Sequence, residues 1–258
     1  MPLNMISIDL DLGALMIWGH RRRLGGDTAY LVHAASRQAF GTLGPQPFLI
    51  QPERSRILGY TSASEEYLRN SHAATANSDS LLHAVFTLPE ICLRTMPDQW
   101  CSGRRYHFSV FCCPTVRHTY DLDGPAAEKV KVESDVWLRK TYTDWKAAGK
   151  PDTLRAYRQL HKGEIEETYV RWLEKRFMPA AELEYAVVSG SRSTAMTARS
   201  SKDHDGAPTR SSKRSWPETT FTGTLTVADP AAFDRLIRHG VGRHAAFGFG
   251  MLLLRAAD

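Results

Sequence analysis

Residues 27–41 read Asp-Thr-Ala-Tyr-Leu-Val-His-Ala-Ala-Ser-Arg-Gln-Ala-Phe-Gly. Asp27 is a good N-cap and Gly41 a natural stop, so the stretch predicts a helix over 28–40. At about 100° per residue, Leu31, Val32, Ala35 and Ala39 fall on one face, and Tyr30, His33 and Arg37 on the opposite one. The apolar face asks for a sheet to pack on, and the polar face is left to meet solvent or a ligand. Upstream, residues 5–10 alternate apolar and polar as a half-buried strand does. Downstream come strands at 47–51 and 55–60, a helical stretch over 64–76, and strands at 92–96 and 106–113, the last stopped by Pro114. Strand, helix, two strands, helix, strand is the ferredoxin-like order.

The second half has a different texture. From 134 to 177 the pattern is helical and aromatic, with Trp137, Tyr142, Trp145, Tyr157, Tyr169 and Trp172, and breaks at 149–152 and Gly163 predict about three helices. A strand is expected at 184–188. Residues 189–215 then form a basic, serine-rich stretch with almost no apolar side chains, expected to be a loop unable to build its own core. A β-like run over 220–227, a helix from Asp229 and Pro230 to His239, a glycine-rich loop at 240–250 and a strand at 251–255 close the chain. The reading is α+β: two tandem ferredoxin-like (RRM-like) domains, residues 1–120 and 126–258, joined by a linker at 121–125, with the helical insert in the second.

Composition excludes several classes. Of 258 residues, 42% are hydrophobic and 24% charged, which fits a globular chain and not a disordered or fibrous one. No apolar run reaches the roughly 18 residues of a membrane span. Asp9 falls where a secretory leader would be apolar, so a cytoplasmic protein is expected, with no membrane partner. Cys92, Cys101, Cys112 and Cys113 form no CxxC pair and no metal-spaced cluster, so free thiols and no metal are expected. Thirty-three Lys and Arg against twenty-eight Asp and Glu give a net charge of +5. That total is shared by many ordinary enzymes, so the placement of the charge matters more.

The positive charge is concentrated. Arg21, Arg22 and Arg23 stand together before the 28–40 helix, a solvated loop or a phosphate contact. Arg192, Arg199, Lys202, Arg210, Lys213 and Arg214 populate the 189–215 stretch, which could be a solvated linker or a segment that tracks an RNA backbone. In the loop at 240–250, Gly240, Gly242, Gly248 and Gly250 surround Arg243 and His244. A helix cap followed by closely packed strand would explain the glycines, and so would backbone N–H groups facing a polyanion. A dinucleotide fingerprint would run strand, glycines, helix, and here the order is reversed; the GK[ST] of a P-loop is missing too.

The segments 222–230, 236–242 and 247–254 (Thr-Gly-Thr-Leu-Thr-Val-Ala-Asp-Pro, Leu-Ile-Arg-His-Gly-Val-Gly and Phe-Gly-Phe-Gly-Met-Leu-Leu-Leu) resemble the ending of the CRISPR repeat-processing endoribonucleases of the RAMP superfamily. The likeness is closest to the type I-E branch. Tyr30-Leu-Val-His33 resembles that branch's Tyr-x-x-His, and residues 106–114 resemble the strand and proline that end its first domain. The chain departs from the pattern in the helical segment after Ser134, and in the glycine loop, where the family's lysine aligns near Ala245 and the basic residue is Arg243. These departures resemble the divergent type IV branch.

The resemblance implies a metal-independent endoribonuclease, without cofactor, that cuts CRISPR repeat RNA at or near a stem-loop and stays on the mature guide RNA beside other subunits of an effector complex. The residue types suit that chemistry. A histidine titrating near neutrality can take the 2′-hydroxyl proton or protonate the departing 5′ oxygen, and an arginine can hold the extra charge on the five-coordinate phosphate. His33, Tyr30, Arg23 and Arg37 are the candidate catalytic set. Arg21, Arg22, Arg192, Arg199, Lys202, Arg210, Lys213, Arg214, Arg243 and His244 are the candidate RNA contacts. A non-catalytic RRM-like subunit that only holds guide RNA is the competing reading. A small-molecule enzyme on the same scaffold, which would need a deep apolar pocket, is a third.

Overall fold

The computed structural model describes residues 2–121, 129–198 and 212–257. The first sheet contains β1 (Asn4–Leu10), β2 (Phe48–Gln51), β3 (Arg56–Thr61) and β4 (Phe86–Thr95), in the order β2-β3-β1-β4. Helices α1 (Leu12–Arg21), α2 (Thr28–Phe40), α3 (Glu65–Ser78) and α4 (Ser80–Val85) fill the connections. Ile6, Ile8 and Leu10 alternate on β1 and point into one core with Leu15, Trp18, Leu31, Val32, Phe40, Ile57 and Phe86. The α2 helix forms as its sequence dictates: Asp27 accepts the Tyr30 N–H at 3.1 Å, and Leu31, Val32, Ala35 and Ala39 are buried.

The second sheet is built from β5 (Arg105–Cys112), β8 (Ala181–Ala198), β9 (Ser212–Val227) and β10 (Leu252–Ala256), ordered β10-β5-β9-β8. All neighbours in both sheets are antiparallel. Between β5 and β8 lie a hairpin, β6 (Thr115–Asp121) and β7 (Lys129–Asp135), and the helices α5 (Val136–Ala147), α6 (Leu154–Leu160) and α7 (Ile165–Phe177); α8 (Pro230–His239) follows β9. With α7 and α8 as the two crossovers, this is a second ferredoxin-like unit, so the chain is an α+β pair of such units in tandem. Trp172, Leu173 and Phe177 of α7 pack with Phe221, Phe233 and Leu252. Tyr60 crosses between units and donates to the Leu252 carbonyl at 2.7 Å.

Four expectations are corrected. The 106–113 strand opens the second sheet instead of ending the first domain, pairing with β9 and β10, so the change of unit falls between β4 and β5 rather than at 121–125. Its partners lie more than a hundred residues away, and no local pattern announces them. The expected linker begins where β6 ends, at Asp121, and from Leu122 it lies outside the described residues. The basic run before α2 is partly helical: α1 is capped by Asp11, whose carboxylate accepts the Ala14 N–H at 2.8 Å, and runs to Arg21. Two glycines hide that helix from propensity, yet Gly19 is needed, because a Cβ there would sit 2.4 Å from a Leu31 methyl. Of the stretch read as a loop at 189–215, residues 189–198 and 212–215 instead continue β8 and β9 as a two-stranded arm out to the Ala198–Ser212 pair, while 199–211 lie outside the described residues. Backbone ladders do not require apolar side chains, and serine and threonine serve in them.

Among the described residues no helix is long and apolar enough to cross a membrane, and no group of three or more His, Cys, Asp or Glu is arranged to hold a metal. The four cysteines are unpaired.

Candidate active site

Helix α2 presents Tyr30 and His33 half-buried and Arg37 exposed, Tyr30 also packing on the edge of the first core. The glycine loop of the second unit reaches them. Phe247 stacks on Tyr30, with centroids 6.2 Å apart and planes at 17°, and lies 5.9 Å from the His33 ring. The resembling segments at the two ends of the chain thus meet in space. Burial, and after it the positive charge of Arg37, lower the pKa of His33 below its ordinary value, which favours a neutral imidazole at neutral pH.

The three arginines before α2 have different environments. Arg21 ends α1 and is exposed. Arg22 is turned inward in part, its Nη2 donating to Asp79 Oδ2 at 2.6 Å and its guanidinium 5.2 Å from the centre of the Trp18 ring. Arg23 is exposed and holds a left-handed backbone at φ 56°. Arg192 is exposed and paired across the arm with the buried carboxylate of Glu218. Arg199, Lys202 and Arg210 lie outside the described residues. Lys213 and Arg214 fall on β9, opposite Thr197 and Met196.

Arg243 and His244 are engaged inside the protein. The half-buried His244 Nε2 donates to Glu133 Oε1 at 3.0 Å, and the Arg243 Nε approaches the same oxygen at 3.0 Å. Thr115 donates to Glu133 as well, at 2.6 Å. Burial would raise the Glu133 carboxyl, but the hydrogen bonds from His244 and Thr115 and the charges of His244 and Arg243 hold it down to about 2. Glu133 therefore pins the loop that carries Phe247. Neither Glu133 nor Asp79 could be picked from the sequence, because each gains its meaning from partners far along the chain.

Glu133→Gln is expected to cost about 1–3 kcal/mol, by leaving buried donors poorly matched. The sign of the pH effect follows from the depressed carboxyl. Its contribution is complete above its ordinary value of 4.5 and fades as pH falls toward about 2. Thermal unfolding of wild type and variant should therefore converge in that acid window, and a difference that stays constant there contradicts the assignment.

A cavity of about 1190 Å³ opens between the two sheets, beside the start of α2, lined by Ile50, Phe111, Phe247, Phe249, Met251 and the Arg192–Glu218 pair among others.

The sequence pattern of a family described as CRISPR associated protein matches residues 13–256. No curated protein gives a significant match. Among solved structures, a CRISPR endoribonuclease Cse3 bound to 19-nucleotide RNA is 15% identical, with 99% of this chain and 100% of that one covered at a TM-score of 0.55. Thermus thermophilus Cse3, bound to an RNA representing a pre-cleavage complex, is 15% identical over 99% of this chain and 100% of that one, with a TM-score of 0.53. Cas6e from Escherichia coli K-12 is 16% identical over the whole of both chains, with a TM-score of 0.52. At such identities the likeness is one of fold, while the match over residues 13–256 decides kinship: the chain belongs to the CRISPR-associated protein family.

Proposed function

We propose that this protein is a metal-independent endoribonuclease that cuts CRISPR repeat RNA at or near a stem-loop and then remains on the mature guide RNA. The observation that carries the reading is the meeting of Tyr30 and His33 with Phe247 across the two units, next to the exposed Arg37. In this reading a neutral His33 takes the proton of the 2′-hydroxyl. The 2′ oxygen attacks the adjacent phosphorus, the bond to the 5′ oxygen breaks, and that oxygen takes a proton from water. The products are a 2′,3′-cyclic phosphate and a 5′-hydroxyl. Tyr30 orients the ribose, and Arg23, Arg37 and Arg21 hold the charge that grows on the phosphate. The structural likeness to the CRISPR endoribonuclease Cse3 supports an RNA-cleaving use of this scaffold, and another similar fold belongs to a CRISPR RNA-guided surveillance complex. A cytoplasmic ribonucleoprotein with further CRISPR subunits is the corresponding setting.

The test is incubation of the purified chain with a hairpin RNA of the repeat from its own locus, in EDTA. The expected result is a 2′,3′-cyclic end, with no cleavage when the nucleotide 5′ of the cut is 2′-deoxy. Tight binding with an intact strand would instead assign the chain as a non-catalytic guide-RNA subunit, and normal cleavage of the deoxy substrate would refute the mechanism.

A further inference from the structure

Asp79 occupies the joint between α3 and α4 and caps α4, its Oδ1 accepting the Leu82 N–H at 3.1 Å. Its other oxygen gathers side chains from two further helices and the turn between them. Oδ2 accepts from Trp18 Nε1 at 3.1 Å and from Arg22 Nη2 at 2.6 Å, with Gln38 Nε2 of α2 at the limit of hydrogen bonding, 3.5 Å. Arg22 is thereby held between a carboxylate and the Trp18 ring. Burial would raise the Asp79 carboxyl, but the bonds from Leu82, Arg22 and Trp18 and the charge of Arg22 outweigh it, so the group stays ionised through neutral pH.

The turn this node grips is unusual for its sequence. The Leu24 N–H bonds the Gly19 carbonyl at 3.0 Å and the Arg23 N–H bonds the His20 carbonyl at 3.0 Å. That pairing is the Schellman closure of a helix, in which the left-handed position belongs by preference to glycine. Here it is Arg23, at φ 56°. Such a conformation is unfavourable for a non-glycine residue and persists only where surrounding contacts over-determine it. Gly25 and Gly26 follow within three residues, so glycine was close at hand in sequence and the strained position carries an arginine.

We propose that Asp79 is a positioning residue for the reaction. By fixing Arg22 against Trp18, it locks the turn so that the flanking Arg21 and Arg23 are presented together beside α2, toward the phosphate on which His33 acts. The inference rests on the ribonuclease reading above.

The test compares wild type, Asp79→Asn, Arg22→Gln and the double variant on the same repeat hairpin. Asparagine is as good an N-cap as aspartate, so α4 keeps its start while Arg22 loses its anion. Single-turnover cleavage by Asp79→Asn should fall by about 10²-fold, the effect expected of a displacement near 1 Å. Affinity for the 2′-deoxy hairpin should be unchanged, and so should its salt dependence. The double variant should be no slower than Arg22→Gln alone, because both break one bridge. If Asp79→Asn fails to fold, Arg22→Gln breaks that bridge from the solvent side and carries the test. A direct phosphate contact by Arg22 would instead lower the salt slope by about 0.7–0.9 and overturn the positioning role. Wild-type cleavage by Asp79→Asn, or additive losses in the double variant, would overturn it as well. A wild-type chain that cuts no hairpin defeats the ribonuclease reading and this inference together; a wild type that cuts beside an equally fast Asp79→Asn defeats this inference alone.

Discussion

His33→Ala is expected to slow single-turnover cleavage of the repeat hairpin by about 10²–10⁴-fold, the usual worth of a positioned proton-transfer group. Binding of the uncut RNA should persist, because the half-buried imidazole contributes little to the charged surface. The pH profile adds a sharper demand. A base works in its neutral form, and burial together with Arg37 disfavours the charged form, so the acid limb of the rate should have its midpoint below the ordinary 6.5. Arg37→Gln removes one of the two causes, so the midpoint should rise toward 6.5 even as the rate falls through loss of phosphate stabilisation. A midpoint that moves down on that substitution, or a rate that declines as pH rises through 6.5, would make His33 something other than the base. Undiminished cleavage by His33→Ala would shift the chemistry onto Arg21 and Arg23.

Trp172→Ala should be among the most damaging single changes to stability, by about 3–5 kcal/mol. The ring is 5% exposed and its Nε1 donates to the Thr115 carbonyl at 3.0 Å. It lies 6.4 Å from the Phe221 ring, nearly parallel to it, and under the Arg176 guanidinium at 5.4 Å. It also supports the glycine loop from beneath, since a Cβ at Gly242, where φ is +82°, would stand 2.8 Å from its edge. Truncation therefore leaves a cavity, an unpaired carbonyl and a loop without its floor. Unfolding in urea measures the loss, and cleavage should weaken beyond what the unfolded fraction explains, because Phe247 rides on that loop. A cost below about 1 kcal/mol, ordinary for surface substitutions, would show that the aromatic insert is not part of the core.

Trp172 also marks how far the sequence could be read. Its helical pattern predicted three helices over 134–177, and α5, α6 and α7 are there. What the pattern could not say is that the third of them serves as the crossover helix of the second sheet. The α2 helix was legible to its ends, because an aspartate cap, a glycine stop and a 3.6-residue apolar stripe are all interactions within a few residues. The α1 helix was not, since Gly13 and Gly19 depress its local preference and only packing against Leu31 repays them. The hairpin of β6 and β7 also went unread, though it delivers Glu133 to the glycine loop.

Two kinds of information separate here. Caps, turns and the spacing of apolar side chains are properties of neighbours along the chain, so the letters alone dictated α2, its polar face, and an alternation of strands and helices with one compact ordering. Which strand pairs with which, and which charge meets which, depends on contacts between residues as far apart as 22 and 79, or 133 and 244. Those pairings come from closing the whole core, where many small burial and hydrogen-bond terms are satisfied at once. For that reason only the folded chain could move β5 into the second sheet, pair Arg22 with Asp79, hold Arg243 and His244 on Glu133, and bring Phe247 to His33.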